Sequence, residues 1–402
     1  MLEGLSTAEL VAKGQAVVMN TYGRLPLALV RGEGSWVWDV EGTRYLDFVT
    51  GLAVNSLGYG HPAIVQAIQK QAKEILHTSN LYWIPNQIAL AERLAESSFA
   101  SKVFFCNSGA EANEAAIKLA RKYAKKKYGE DKFEIISLKN SFHGRTLATL
   151  TATGQTKYQQ GFAPLPEGFS YVEINNLGEL KERVNEKTAA LLIEPIQGEG
   201  GVFPASEEFL RAARELCDQY GALLIFDEVQ VGLGRTGKLF AHEWSGVAPD
   251  IMTLAKALGG GVPIGAMLAG EEAAAAFQPG DHASTFGGNP LATAVGCAVL
   301  DVMRQPGFLE DVRERALYFR QGLEHLAEKY KTGESVRGQG FILGWPLPKL
   351  GGEVVQLCRE RGLLVNCIGG KTLRFLPPLT VSKEEIDQAL GILDRVLSEN
   401  WK

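Results

Sequence analysis

Two short apolar segments in the middle of the chain each end beside a residue that can do chemistry. Residues 222–226 (ALLIF) are followed by Asp227, and residues 251–255 (IMTLA) are followed by Lys256. If both segments are buried strands of one sheet, their ends meet at the edge where open α/β sheets bind ligands. A lysine there can lose its proton and form a Schiff base with a carbonyl. An aspartate there stays ionised if a cation faces it.

Pyridoxal phosphate matches both groups, because it presents an aldehyde to the lysine and a ring nitrogen to the aspartate. Residues 108–110 stand between a predicted strand and a helix, where free backbone N–H groups can bind an anion. Phe142 and Arg145 place an aromatic ring and a guanidinium after another strand, and Glu199 follows a third in a glycine-rich loop. Arg374 lies inside an apolar segment, so its charge must be paired or ligand-bound if buried.

Two nucleotide-binding motifs overlap the same segment. Residues 225–228 (IFDE) resemble a Walker B strand, and residues 232–238 (GLGRTGK) fit the P-loop pattern GxxxxGK. However, Leu239 stands where Ser or Thr must bind magnesium, and the loop follows the acidic strand. The glycines also fit GxGxxG, but residues 227–231 separate them from the strand that a dinucleotide fingerprint follows directly. A nucleotide-dependent enzyme and a non-catalytic protein with a cofactor-binding fold remain alternatives.

Composition narrows the class of protein. A chain of 402 residues favours two domains, and a net charge of −5 gives no reason to expect nucleic acid or an acidic membrane as partner. The first residues, which include Glu3, Glu9 and Lys13, resemble neither a signal nor a transit peptide. Five scattered cysteines without a CxxC pair indicate reduced thiols and a cytoplasmic protein. Six dispersed histidines show no ligand spacing, so we expect no metal site.

The order of predicted elements indicates an α/β fold. Short apolar segments alternate with amphipathic helices, which predicts a mostly parallel sheet covered by helices. From about Pro306 a long charged helix leads into short strands and a last helix, the pattern of a smaller α+β domain. The predicted strands of the sheet are 103–105, 133–137, 189–193, 222–226, 251–255 and 264–269.

Three motifs give the chain a specific resemblance. They are residues 107–114 (NSGAEANE), residues 224–230 (LIFDEVQ) followed at a distance by Lys256, and residues 284–290 (STFGGNP). With them the chain resembles, over nearly its whole length, the class III aminotransferases of fold-type I pyridoxal-phosphate enzymes (the ornithine and acetylornithine aminotransferase group). The resemblance implies a large domain with a mostly parallel seven-stranded sheet and a smaller α+β C-terminal domain. We expect an N-terminal segment at 1–48, the large cofactor-binding domain at 49–303 and the small domain at 304–402.

The resemblance also implies how the cofactor is held and used. Lys256 would bind it covalently and then carry a proton, while Asp227 would keep the ring nitrogen protonated and the ring an electron sink. Val229 and Phe142 would pack on the two faces of the ring, and Gln230 would contact its phenolic oxygen.

Phosphate binding in this family implies a shared active site. Ser108, Gly109 and Ala110 would bind the phosphate within one subunit. Ser284 and Thr285 belong to a segment in which the threonine reaches the phosphate of the neighbouring subunit. An obligate homodimer with shared active sites is therefore expected, with Ser284 near the substrate.

Two arginines imply a double substrate. Arg145 would bind the distal carboxylate of either substrate, Arg374 the proximal carboxylate of glutamate, and Glu199 would mask Arg374 when the other amine donor is bound. Gly51 stands where ornithine δ-aminotransferases have a bulky tyrosine, which leaves room for an N-acyl group and favours transfer of the terminal amine of N2-acetylornithine to 2-oxoglutarate. Tyr22, placed in the substrate site, matches a tyrosine of the ornithine enzymes. Ornithine, succinylornithine, N-acetyl-lysine and 4-aminobutyrate therefore remain alternative donors.

Overall fold

The computed structural model describes residues 4–347 and 351–400. Residues 1–3, 348–350 and 401–402, which belong to the expected N-terminal segment and small domain, lie outside the described residues. In the part of the chain that is described, none of the helices combines the length and apolar character that crossing a membrane requires. The strands are β1 (Leu29–Glu33), β2 (Trp36–Asp39), β3 (Arg44–Asp47), β4 (Lys102–Cys106), β5 (Glu134–Leu138), β6 (Phe169–Val172), β7 (Thr188–Ile193), β8 (Ile196–Gln197), β9 (Phe203–Pro204), β10 (Leu223–Asp227), β11 (Ile251–Leu254), β12 (Gly265–Ala269), β13 (Arg337–Gln339), β14 (Ile342–Pro346), β15 (Leu363–Leu364), β16 (Asn366–Ile368) and β17 (Thr372–Phe375). The helices are α1 (Thr7–Val17), α2 (Thr50–Ala53), α3 (Pro62–Ala72), α4 (Pro85–Glu96), α5 (Gly109–Tyr128), α6 (Leu147–Ala152), α7 (Thr156–Gln159), α8 (Leu177–Arg183), α9 (Glu207–Tyr220), α10 (Glu271–Ala274), α11 (Pro290–Met303), α12 (Phe308–Lys329), α13 (Gly351–Glu360) and α14 (Lys383–Asn400).

The central sheet has seven strands in the order β4-β12-β11-β10-β7-β5-β6. Strands β11, β10, β7, β5 and β6 pair in parallel, whereas β12 is antiparallel to both β11 and β4. The prediction of a mostly parallel seven-stranded sheet in an α/β fold is therefore confirmed. Each of the six sequence-predicted strands overlaps a strand of this sheet, and the edge strand β6 was missed.

Strand β10 shows why the central strands are continuously apolar. Its side chains are buried on both faces of the sheet. Leu223 and Ile225 pack in a cluster with residues of α5, whereas Leu224 and Phe226 pack in a second cluster with residues of α9. Since helices cover both faces, alternate residues meet different helices and no position faces water. The first polar residue of the strand is Asp227 at its end.

Two smaller sheets join distant parts of the chain. Strands β1, β2 and β3 form a sheet with β15, so the N-terminal strands pair with a C-terminal one, and β13-β14-β17-β16 form another. Arg235, which is fully buried, donates hydrogen bonds to the carbonyls of Phe341 and Pro377 and to the Ser56 hydroxyl. These contacts link the loop after β10 to Ser56 early in the chain and to Phe341 and Pro377 late in the chain. The domain boundaries at 48/49 and 303/304 stay predictions.

Candidate active site

The two chemistry-bearing strand ends lie side by side. β10 and β11 are parallel neighbours with Asp227 opposite Thr253, so the prediction that both strands end at one edge of the sheet is confirmed. Two residues beyond β11, Lys256 begins a 3₁₀ turn with φ of 46°. That left-handed conformation costs a non-glycine residue on the order of 1–3 kcal/mol and clusters at functional sites. The strain therefore marks Lys256 as a residue held for a purpose other than packing.

A cavity of about 440 Å³ opens at this edge of the sheet. Many of the residues singled out from the sequence line it together, although they come from five separate stretches of the chain. These lining residues are Ser108, Gly109, Ala110, Phe142, Arg145, Glu199, Asp227, Val229, Gln230 and Lys256.

The Asp227 carboxylate is surrounded by hydrogen-bonding groups. Its carboxylate accepts from Asn113 Nδ2 at 2.8 Å and from the Val229 backbone N–H at 3.0 Å, and it lies 2.8 Å from His143 Nδ1. The Asn113 side chain is fixed in turn by the Thr253 hydroxyl, which donates to Asn113 Oδ1 at 2.8 Å. Such a network orients an ionised carboxylate toward the cavity, where a cationic ring nitrogen could meet it.

Sequence reasoning missed Asn113 and His143. Asn113 is buried on the apolar face of α5, where a polar residue needs a partner, and that mismatch was the available signal. The His143 ring is buried, and its Nε2 has no hydrogen-bond partner among the described residues. Both residues line the cavity.

The cavity is lined by an amine and a carboxyl whose pKa values are shifted in opposite directions. Burial lowers the pKa of Lys256, and the nearby Glu199 charge only partly offsets that effect. Burial raises the pKa of Glu194 well above the ordinary carboxyl range, and the charge of Asp227 adds to the increase. Glu194 also accepts a hydrogen bond from the Phe142 backbone N–H at 2.9 Å. Burial thus shifts both groups toward their neutral forms, and Glu194 was another residue that the sequence did not reveal.

The start of α5 forms an anion cradle. Ser108 caps this 20-residue helix, and its hydroxyl accepts a hydrogen bond from the Glu111 N–H at 3.2 Å. The first N–H groups of the helix have no intrahelical acceptor and carry the positive end of its dipole. A Cβ atom on Gly109 would lie 2.7 Å from Val229 Cγ1, so glycine lets the helix start approach Val229 closely. A phosphate fits these groups without needing a lysine.

Arg374 lies behind the cavity and is paired. It is 1 % exposed, and its Nη1 donates to Glu199 Oε1 at 2.6 Å, to the Gly198 carbonyl at 3.1 Å and to Gln230 Oε1 at 3.1 Å. Its Nη2 donates to Asn366 Oδ1 at 2.9 Å. Burial would raise the pKa of Glu199, but the charge and the hydrogen bond of Arg374, the charge of Lys256 and the hydrogen bond from Gln230 together outweigh burial, so the net pKa is lowered. The expectation that a buried Arg374 must be paired is confirmed.

Arg145 differs from Arg374 in both its exposure and its pairing. Its side chain lines the cavity and is exposed, and it has no hydrogen bond or ion pair to a described residue. Its guanidinium instead lies over the rings of Phe142 and Tyr158, at 5.3 Å and 4.2 Å from their centroids. An exposed, unpaired guanidinium at a cavity wall is available to an incoming carboxylate.

Four of the residues selected from the sequence do not line the cavity of this single chain. Besides Arg374 these are Tyr22, which is 70 % exposed, and Ser284 and Thr285. Ser284 is nevertheless adjacent, because its hydroxyl accepts a hydrogen bond at 3.2 Å from Asn107, which is a lining residue. Thr285 is exposed.

Comparisons with known proteins agree with this geometry. The family model described as Aminotransferase class-III matches residues 17–397. A curated acetylornithine aminotransferase from Caldanaerobacter subterraneus subsp. tengcongensis is 57% identical over 95% of this chain and 97% of its own length. The crystal structure of acetylornithine aminotransferase from Elizabethkingia anophelis superposes with a TM-score of 0.88 at 34% identity, covering 98% of this chain and 100% of that one. An ornithine aminotransferase structure from Toxoplasma gondii, with PLP at partial occupancy in its active site, superposes with a TM-score of 0.94 at 32% identity, covering 98% and 94%.

Proposed function

The chain belongs to the class-III aminotransferases, and on that premise we propose that it transfers the terminal amine of N2-acetylornithine to 2-oxoglutarate. The products are N-acetylglutamate 5-semialdehyde and glutamate, which places the reaction in arginine biosynthesis. The observation that carries the proposal is the contrast between an arginine that lines the cavity and an arginine that lies behind it. Arg145 is exposed and has no ion pair with any residue that the structure describes, whereas Arg374 is buried against Glu199 at 2.6 Å. One fixed and one maskable carboxylate site suit an enzyme with two different amine donors.

Pyridoxal phosphate is the cofactor of this family, and the residues present fit it. The start of α5 at Ser108 would hold the phosphate, and the hydrogen-bonded Asp227 would face the ring nitrogen. We assign Val229 and Phe142 to the two ring faces and Gln230 to the phenolic oxygen. When bound, the cofactor supplies an electron sink that lets the amine-bearing carbon of the substrate lose a proton.

Lys256 is the residue that would hold the cofactor and move that proton. Its pKa is lowered by burial, which increases the fraction of the neutral amine, the form that attacks a carbonyl and accepts a proton. The fixed backbone of Lys256 at the start of a 3₁₀ turn limits where its Nζ can reach. Lys256 and Asp227 are therefore the catalytic residues of the proposal, with Glu199 as a gate.

The gate explains how one site accepts two donors. The reacting amine of N2-acetylornithine is terminal and has no adjacent carboxylate, so Glu199 would neutralise Arg374 while that donor is bound. Glutamate carries a carboxylate beside its amine, which would displace Glu199 and pair with Arg374. Without the mask, a buried guanidinium beside an uncharged stretch of donor would be unpaired and costly. Arg145 would bind the distal carboxylate in both cases.

The donor assignment rests on similarity. At Gly51 φ is 64°, and the nearest atoms to an added Cβ would be Asn55 Nδ2 at 3.3 Å and two atoms of Val54 at 3.6 and 4.0 Å, so a side chain at this position would be strained and in tight contact. Ornithine, succinylornithine, N-acetyl-lysine and 4-aminobutyrate are the competing donors, and Tyr22 is assigned to substrate binding with them in mind. A P-loop function is not favoured, because Arg235 within residues 232–238 is buried as a structural link and lies away from the cavity.

We further propose a cytoplasmic homodimer with shared active sites and with no nucleic acid or membrane partner. Thr285 would reach the phosphate site of the neighbouring subunit, and Ser284 would contribute to the substrate site. Trp83 is 88% exposed, Tyr82 is 70% exposed and Phe286 is 60% exposed, so a single chain leaves large apolar side chains in water. Since Ser284 adjoins the lining residue Asn107, a subunit placed against this surface would lie next to the cavity.

The proposal is tested by steady-state kinetics of the purified enzyme with pyridoxal phosphate and 2-oxoglutarate. The five donors to compare are N2-acetylornithine, N-succinylornithine, ornithine, N-acetyl-lysine and 4-aminobutyrate. We expect the highest kcat/KM with N2-acetylornithine. A higher kcat/KM with another donor would move the assignment to that substrate, and absence of turnover with every donor would refute the function.

A further inference from the structure

Arg145 is held by aromatic rings instead of by acceptors. Its guanidinium lies 4.2 Å from the centroid of Tyr158 and 5.3 Å from that of Phe142. The two rings contact each other edge to face, with centroids 5.9 Å apart and planes at 81°. Phe142 lines the cavity, whereas Tyr158 does not. Tyr158 therefore supports Arg145 from behind and also buttresses the ring that faces the cavity.

The short helix α7 that carries Tyr158 is itself anchored on both sides. Gln155 donates from Nε2 to the Ser141 carbonyl at 2.9 Å, which fixes the helix to the segment before Phe142. Gln159 donates from Nε2 to the Thr153 carbonyl at 2.9 Å and also contacts the carbonyls of Leu150 and Thr151 and the Tyr171 hydroxyl. The position of the Tyr158 ring is thus set by the backbone around the site.

We propose that Tyr158 is a positioning residue for the distal carboxylate of the substrates, acting through Arg145. The inference rests on the proposed function, which assigns that carboxylate to Arg145. An exposed arginine samples many rotamers, and holding it in one conformation costs entropy each time a substrate binds. The aromatic face of Tyr158 attracts the cation and fixes the guanidinium before the carboxylate arrives. The guanidinium lies over the ring face and no hydrogen bond joins it to the phenol hydroxyl, so we assign the effect to the ring.

The binding test uses the holoenzyme and glutarate, a dicarboxylate that has neither amine nor carbonyl and cannot react. Its Kd is measured by titration calorimetry for the wild type, Tyr158→Leu and Tyr158→Phe, each alone and combined with Arg145→Gln. Tyr158→Leu should weaken glutarate binding roughly two- to fivefold, the range that an exposed cation–π contact supports. Tyr158→Phe should retain wild-type affinity, and Tyr158→Leu should have no further effect once Arg145 is replaced.

A matched control is Lys157→Gln, because the Lys157 ammonium lies 4.7 Å from the same Tyr158 ring but belongs to no part of the site. That variant should bind glutarate like the wild type. In kinetics, Tyr158→Leu should raise the KM for 2-oxoglutarate more than it lowers kcat.

Either of two results would overturn the inference. One is that Tyr158→Leu weakens glutarate binding equally in the presence and absence of Arg145, which would make Tyr158 a general structural residue. The other is a Tyr158→Phe enzyme as impaired as Tyr158→Leu. Glutarate binding to the wild type does not require turnover of N2-acetylornithine, so failure of the donor assignment and failure of this inference are separate outcomes.

Discussion

Replacement of Glu199 by alanine tests the gate directly. In the folded chain, Arg374 is 1 % exposed and its Nη1 donates to Glu199 Oε1 at 2.6 Å, so the mask is closed. Glu199→Ala leaves Arg374 open to any carboxylate that lies next to a reacting amine. The half-reaction with glutamate should then be retained or improved. The half-reaction with N2-acetylornithine should slow, because that donor offers nothing to pair with the exposed guanidinium.

The expected size of the shift in donor preference follows from the hydrogen-bond acceptors that Arg374 keeps after the substitution. Breaking a buried ion pair costs about 3–5 kcal/mol when the remaining charge is left uncompensated. Here the guanidinium retains neutral acceptors, namely the Gly198 carbonyl, Gln230 Oε1 and Asn366 Oδ1. The Glu199 side chain is also 25% exposed, so water can replace part of its interaction. We therefore expect a shift of about 1.4–2.8 kcal/mol toward glutamate, which is roughly ten- to a hundredfold in relative rate.

Single-turnover kinetics of each amino donor, followed through the absorbance of the cofactor, measures the two half-reactions separately. Glu199→Gln is the matched variant, since it keeps a hydrogen-bond acceptor for Arg374 and removes only the charge. We expect its preference to lie between those of the wild type and Glu199→Ala. Equal slowing of both half-reactions in Glu199→Ala would refute the gate and leave Glu199 as a structural residue.

Four further predictions address the rest of the site. Borohydride reduction of the holoenzyme should fix the cofactor to the peptide that contains Lys256, and label on another lysine would refute that assignment. Asp227→Asn should lower kcat/KM about a hundredfold, a loss of on the order of 3 kcal/mol of transition-state stabilisation, because the ring nitrogen loses its anionic partner. Near-normal turnover would exclude that role. Because the pKa of Glu194 is raised, the folded protein holds a proton that the unfolded chain releases from about pH 4.3 upward, so stability falls as the pH rises from there toward the folded pKa. Glu194→Gln should remove that loss and be at least as stable as the wild type at neutral pH in denaturant titrations, and a less stable variant would show that Glu194 is ionised. Mixing inactive Lys256→Ala subunits with Thr285→Val subunits should restore one intact site per heterodimer if sites are shared, whereas a fully active monomer on light scattering would contradict the dimer.

Edge and core strands differed in how well the sequence revealed them. β7 and β10 are buried on both faces, so their sequences are unbroken apolar segments and were predicted. β6 at the sheet edge has one buried residue among four, and the polar Ser170 interrupts its short apolar sequence. The pairing of β3 with β15 was equally invisible, because a two-residue strand pairs through backbone groups that have no sequence signature.

The sequence by itself determined the fold class and the edge of the sheet at which the chemistry lies. Parallel strands covered on both faces are largely apolar, so the first charged residues, Asp227 and Lys256, mark the strand ends. Only the tertiary structure decided which side chains surround them. Asp227 meets Asn113 across 114 residues of chain, and Arg374 meets Glu199 across 175. Hydrogen bonds and ion pairs form over about 3 Å between atoms that packing brings together, and the spacing of residues along a chain does not contain those distances.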